Sequence, residues 1–230
     1  MNWNGTISLL FASIELLLII NLFVFAEKNT FNKYAIAIVT LLFGYQLIEF
    51  LLCFAEIQNQ FLVYLGFVDI SFLPPLNLLI VLSLTGYLNN GWKKYLLFIP
   101  PSAFAIYYFF VVDKFVLNKC TVVYASYSYP LGDLFGFFYY LPILTSIVLL
   151  IKYLKKQPEK KLKTTSLILL FSSIFISIAP VLAFSLLLFG SDAIITAVES
   201  IMCKFAIVYA ISVSFAGLIN SSNKNERNNT

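Results

Sequence analysis

Apolar runs long enough to cross the ~30 Å hydrocarbon core of a bilayer recur along this chain, each closed off by a short polar segment. Seven can be marked: Ile7 to Ala26, Tyr34 to Ala55, Phe61 to Leu88, Tyr95 to Val112, Leu134 to Leu154, Thr165 to Phe189 and Ala193 to Ile219. The runs are continuous, which predicts helices; a membrane barrel would show short segments of alternating polarity. In hydrocarbon every backbone polar group must be satisfied internally, and a helix does this within one segment. The expected fold is an all-α membrane protein, a seven-transmembrane-helix bundle over residues 1–219. A polar tail at 220–230 reads as unstructured, with no effector domain after it.

Composition agrees with this pattern. Of the 230 residues, 60% are hydrophobic and 11% charged, too few charges to clothe a water-soluble globule. The first run has no basic leader, carries Glu15 within it, and shows no small-residue cleavage site before Glu27, so it reads as a retained span. The net charge of +4 raises nucleic-acid binding, but a nucleic-acid binder gathers its basic residues on one soluble face. Here they lie between spans, and no nucleic-acid partner is expected.

Lys and Arg in short loops are held on the cytosolic side. The first, third and fifth loops and the tail carry Lys28, Lys33, Lys93, Lys94, Lys152, Lys155, Lys156, Lys160, Lys161, Lys163, Lys224 and Arg227. The other end carries only Lys114 and Lys119, with Glu56, Asp113, Asp133 and Asp192. This predicts the N-terminus outside and the C-terminus in the cytosol. The Asn4-Gly5-Thr6 sequon lies almost against the membrane and is given no weight. The longest external segment, Asp113 to Asp133, contains the Tyr124 to Tyr129 stretch, either a lid over the bundle mouth or an interfacial aromatic belt.

Prolines fall inside expected helices at Pro74, Pro75, Pro100, Pro101, Pro142 and Pro180. Each removes a backbone donor and can kink its helix, as a hinge or simply as a packing feature. No internal repeat is visible, which disfavours transporters built from duplicated halves.

An ionisable side chain within hydrocarbon is costly and normally faces a protein interior or a watery cavity. Five qualify: Glu15, Glu49, Asp69, Glu199 and Lys204. Measured from the external end of each span at ~1.5 Å per residue, Glu49 and Glu199 lie about two turns in, Glu15 and Asp69 slightly deeper, and Lys204 near the midplane. Gln46 shares the face of Glu49, and Asn77 continues a polar seam below Asp69. Glu199 and Lys204 are rotated by about 140° on one helix, so Lys204 should pair with another helix, through Glu15, Glu49 or Asp69. Four acids against one base cannot all be charged in low dielectric without a cation, water or protons. Two readings follow: an outward-facing pocket for a small ligand or a proton, or a structural network of interhelical hydrogen bonds.

The lysine on the last helix also raises a retinal Schiff base, but the third span lacks the arginine and tryptophan pattern that microbial rhodopsins place around their counter-ion. The chain has no histidine, and Cys53, Cys120 and Cys203 are far apart. No metal or haem site is expected, nor any other cofactor. Without a nucleophile and base arrangement an enzyme is not expected either. Cys53 and Cys120 both fall near the external face, where they are either bonded or free. Cys203 reads as a packing residue.

Gly44-Tyr45 with Glu49, then Tyr64-Leu65-Gly66, Leu73-Pro74-Pro75-Leu76, Thr85-Gly86 and Ile99-Pro100 occur in an order that resembles the N-terminal seven-transmembrane sensor region of bacterial and archaeal histidine kinases and diguanylate cyclases. Tyr127-Ser128-Tyr129, the basic loop after Lys152, and Pro180 extend the likeness over most of the chain. The resemblance implies a sensor or receptor-like module in a prokaryotic cell membrane that signals to a cytosolic module, here a separate cytosolic signalling protein reached through Lys152 to Lys163 or the tail. Asp69 departs from that pattern, whose corresponding stretch is largely apolar. The alternative function is a small secondary transporter that uses the same acids as a proton or cation relay.

Overall fold

The computed structural model describes residues 3–57, 59–87, 91–156, 159–178, 180–182, 185 and 198–221, with Lys93, Val198 and Glu199 described by their backbone alone. The described chain is mostly helical. It forms α1 Thr6–Phe25, α2 Thr30–Cys53, α3 Gln60–Ser71, α4 Leu73–Thr85, α5 Ile99–Phe110, α6 Gly132–Lys155, α7 Lys160–Ile176 and α8 Val198–Ser221. Six helical stretches among the described residues are long and apolar enough to cross a membrane: Thr6–Phe25, Thr30–Cys53, Gln60–Thr85, Gly132–Lys155, Lys160–Leu182 and Ser200–Ser221. A multi-pass protein embedded in the lipid bilayer follows from them. The C-terminal part of the expected sixth span, the start of the seventh, and the tail beyond Ser221 lie outside the described residues.

Two expected helices are corrected. The third is two helices meeting at Phe72, because Pro74 and Pro75 stand in the first turn of α4 and supply no N–H to the turn behind them. The fourth, expected as one α-helix over Tyr95 to Val112, is a seven-residue 3-10 helix, Trp92–Phe98, leading into α5. Pro100 and Pro101 are again the reason, since proline suits the start of an α-helix but cannot continue one. The structure also contains an element that the apolar pattern concealed. Strands β1 Val116–Cys120 and β2 Ala125–Ser128 form an antiparallel hairpin.

The hairpin closes one end of the bundle. Gly5 donates its N–H to the Thr121 carbonyl at 3.0 Å, Cys120 is disulfide-bonded to Cys53 at the end of α2, and Gln60 Nε2 donates to the Asp113 carbonyl at 3.1 Å. Phe115 is buried against Phe67 and Tyr108, with ring centroids 5.2 and 5.1 Å away. Tyr127 is buried in the same cluster, 5.7 Å from the Phe67 ring, so within Tyr124 to Tyr129 this ring packs inward instead of joining a surface belt.

The opposite end is tied by different residues. Glu27 donates its N–H to Ser221 Oγ at 2.8 Å, and Asn32 Nδ2 donates to both Ser221 Oγ and the Glu27 carbonyl. Lys156 Nζ reaches the Tyr87 hydroxyl at 2.6 Å. The start of α1 and the end of α8 thus lie at opposite ends of the bundle.

Helix α8 runs against α1, α2 and α7. One stripe of its buried positions, Cys203, Ala206, Ala210, Val213, Ala216 and Gly217, recurs at helical spacing and is mostly small, which lets backbones approach where lipid gives no hydrophobic push. At Gly217 an added Cβ would stand 2.7 Å from Asn32 Oδ1 and 3.1 Å from Leu22 Cδ2. Replacing Gly217 by Val is expected to destabilise the bundle by about 1–3 kcal/mol, the usual cost of overpacking, whereas Gly91→Ala, with open space around it, should be nearly neutral. Thermal unfolding of both variants in one detergent checks the difference.

Candidate functional site

The buried positions of α1 are Ser8, Ala12, Glu15 and Leu22, one stripe at four-, three- and seven-residue intervals. The rest of α1 faces outward with side chains such as Leu17 and Phe23 exposed. This stripe lies against α2 and α8, bringing Ser8 and Glu15 to the side of α2 that carries Gln46 and Glu49. From α8 come Ser200 and Lys204, four residues apart and therefore on one face.

The five side chains Ser8, Gln46, Glu49, Ser200 and Lys204 form one closed network. Lys204 Nζ lies 2.9 Å from Glu49 Oε1 and donates to Gln46 Oε1 at 2.6 Å and to Ser8 Oγ at 2.9 Å. All three ammonium hydrogens have acceptors. Ser8 passes its own hydroxyl hydrogen to Glu49 Oε1 at 3.0 Å, and Ser200 donates to Glu49 Oε2 at 2.9 Å. Gln46 Nε2 is held by the Cys203 carbonyl at 3.1 Å. Ser200 Oγ also accepts the Ala125 N–H at 3.0 Å, which joins the network to strand β2 of the hairpin. Glu49 is 1% exposed and Lys204 6%, so the pair is desolvated and its hydrogen bonds carry more weight than in water.

The remaining acids are arranged differently. Glu15 is fully buried, and among the described residues neither carboxyl oxygen has a hydrogen-bond partner. It lies within electrostatic reach of Lys204 and Asp69. The Asp69 carboxyl rests against Gly44 of α2, where an added Cβ would stand 3.2 Å from Oδ1, and its Oδ2 has no partner. Asn77 sits apart. Its Oδ1 accepts a hydrogen bond from the Tyr209 hydroxyl, its Nδ2 is buried without a partner, and it lines a cavity of about 30 Å³ with Cys203, Tyr209 and Pro74. Among the described residues, Glu15, Glu49, Asp69 and Lys204 do not line that cavity. The Glu199 side chain lies outside the described residues.

Of the partners considered for Lys204, the structure selects Glu49. Gln46 joins that pair as their three-residue spacing implies. Asp69 lies on α3 and Asn77 on α4, with Phe72 between the two helices. Sequence reading overlooked Ser8 and Ser200, seven residues before Glu15 and four before Lys204. That helical spacing was the available signal, but a serine in a membrane helix bonds its own backbone equally well, as Ser172 does here with the Ile168 carbonyl.

The arrangement can hold a charged pair rigidly beside a carboxyl whose hydrogen-bonding capacity is unfilled. The chain matches no protein-family model, no curated protein and no solved structure.

Removing one member of a buried ion pair leaves the other charge stranded, typically at about 3–5 kcal/mol. Lys204→Met and Glu49→Gln are each expected to lose stability on that scale. The double variant should lose less than the sum, because neither charge is then abandoned. A double-mutant cycle on thermal midpoints checks this; additive losses would show that the two residues are not coupled.

Proposed function

We propose that this protein is a membrane sensor or receptor-like module whose responsive group is the Glu15 carboxyl, beside the Glu49–Lys204 network in the outer half of the bundle. The observation that carries the reading is a fully buried carboxyl whose two oxygens have no partner among the described residues, within reach of a lysine whose hydrogen-bond donors are already engaged. A buried carboxylate without partners is strongly disfavoured, so a proton or a small hydrogen-bonding ligand at Glu15 changes the charge felt by Lys204. The network then has two mechanical outlets: Ser200 to the hairpin backbone, and α8 to the far end through Tyr209–Asn77 and Ser221–Asn32. The order of Gly44-Tyr45, Leu73-Pro74-Pro75-Leu76 and Ile99-Pro100, with its likeness to seven-helix sensor regions, supports the same reading. The output is a contact with a separate cytosolic protein at Lys152 to Lys163.

The proposed orientation places the hairpin outside. A disulfide belongs to oxidising compartments, and the lysine-rich loops gather at the other end, as the positive-inside rule demands. The 3-10 helix and α5 together supply a seventh crossing: seven residues at ~2.0 Å and twelve at ~1.5 Å reach about 32 Å. In sealed right-side-out vesicles an impermeant amine reagent should modify Lys119 directly and Lys160 only after permeabilisation. The reverse pattern inverts the topology.

Acidifying the buffer from about pH 8 to pH 5, which stays above the ordinary carboxyl values of about 4 in a chain without histidine, is expected to alter amide hydrogen exchange across 152–163 in nanodiscs. Glu15→Gln should abolish that change. An equal response in the variant would remove Glu15 as the responsive group.

The second reading, a transporter, is favoured by the further unpartnered atoms Asp69 Oδ2 and Asn77 Nδ2, which are candidates for a relay between helices. Proteoliposomes with an interior pH dye separate the two, since a transporter moves protons under a gradient and a sensor does not.

A further inference from the structure

Prolines on three different helices, together with residues whose helical N–H donors those prolines remove, line one cavity. It lies between α4, α5 and α6, has room of about 30 Å³, and is bordered by Ser71, Pro75, Leu97, Pro101, Phe138 and Pro142. In a helix the carbonyl of residue i is met by the N–H of residue i+4, or of i+3 in a 3-10 turn. For Ser71 those donors belong to Pro75 and Pro74, and for Leu97 to Pro101 and Pro100. None has an N–H. Each Pro-Pro pair therefore strips one carbonyl of both possible helical donors, and both stripped residues border the same space. Phe138 adds a third, since Pro142 removes its i+4 donor.

The Ser71 side chain does not fill the gap, because its hydroxyl donates to the Val68 carbonyl at 2.7 Å. A buried carbonyl left without a donor is costly, and within a membrane such backbone is tolerated where ordered water or another polar group meets it. The rest of the lining is Pro100 and the aromatic side chains Phe104, Phe135 and Tyr139. Among the described residues no charged side chain borders it, which argues against an ion and for a neutral occupant.

We propose that this proline-lined cavity is a binding site for a neutral hydroxyl group, donated to the Ser71 and Leu97 carbonyls while any attached carbon rests on the aromatic rings. Two sources share this chemistry: water, of which about two molecules fit at roughly 10–15 Å³ each, and a short-chain alcohol. The site lies apart from the Glu49–Lys204 network and stands whether or not that network senses anything.

The test uses the full chain in nanodiscs with ethanol as probe and acetonitrile, of similar size but without a hydroxyl, as control. Saturation-transfer NMR should show transfer to ethanol and not to acetonitrile. Pro75→Ala and Pro101→Ala each return an N–H to one stripped carbonyl, so each should weaken the ethanol signal by about tenfold, the cost of one lost hydrogen bond. Pro180→Ala, outside the cavity, should leave it unchanged and controls for general effects of removing proline. If ethanol gives no signal but water magnetisation reaches the Phe138 and Tyr139 amides in wild type and not in Pro75→Ala/Pro101→Ala, the site holds with water as its occupant. Equal transfer to acetonitrile, equal ethanol binding in the proline variants, or neither ethanol nor water in the wild type overturns the proposal.

Discussion

A lysine ammonium buried among apolar helices is tolerable only when each of its hydrogens meets an acceptor and its charge meets a counter-charge. Lys204 meets both conditions through Glu49, Gln46 and Ser8, and the rest of the bundle is arranged around that requirement. Those partners sit on two other helices, so satisfying the lysine fixes α1, α2 and α8 in rotation and height together. In hydrocarbon, apolar contacts discriminate poorly between one helix rotation and the next. A directional network that is costly when broken does discriminate, because a small turn of α8 would strand a charge.

The hairpin extends that constraint to the end of the bundle. Cys53–Cys120 and the bond from Gly5 to Thr121 pin it to α2 and α1, while Ser200 ties its second strand to Glu49. Phe115 and Tyr127 then fill the space between α3, α5 and α6. A loop of this length over a bundle mouth would otherwise leave backbone groups unmet. The strand pairing resolves most of them internally, and the aromatic cluster excludes lipid and water beneath it.

Proline works in the opposite sense. At Pro74-Pro75 and Pro100-Pro101 the chain gives up helical donors, and Ser71 and Leu97, whose carbonyls lose them, border one aromatic-lined cavity. Beyond the first of these pairs, Asn77 accepts a hydrogen bond from Tyr209 of α8.

The membrane class, the position of most spans and the ionisable residues within them were legible from the sequence, because the cost of exposing backbone or charge to lipid acts on every residue and leaves its mark in composition and spacing. Gln46 beside Glu49 was legible for the same reason that any three-residue spacing on a helix is. The choice of Glu49 over Glu15 and Asp69 as the partner of Lys204, the recruitment of Ser8 and Ser200, and the packing of Tyr127 inward were decided only when helices distant in sequence came together. Periodicity gives the face that a side chain occupies on its own helix, whereas the neighbour it meets depends on the rotation and height of another helix, which no local pattern encodes.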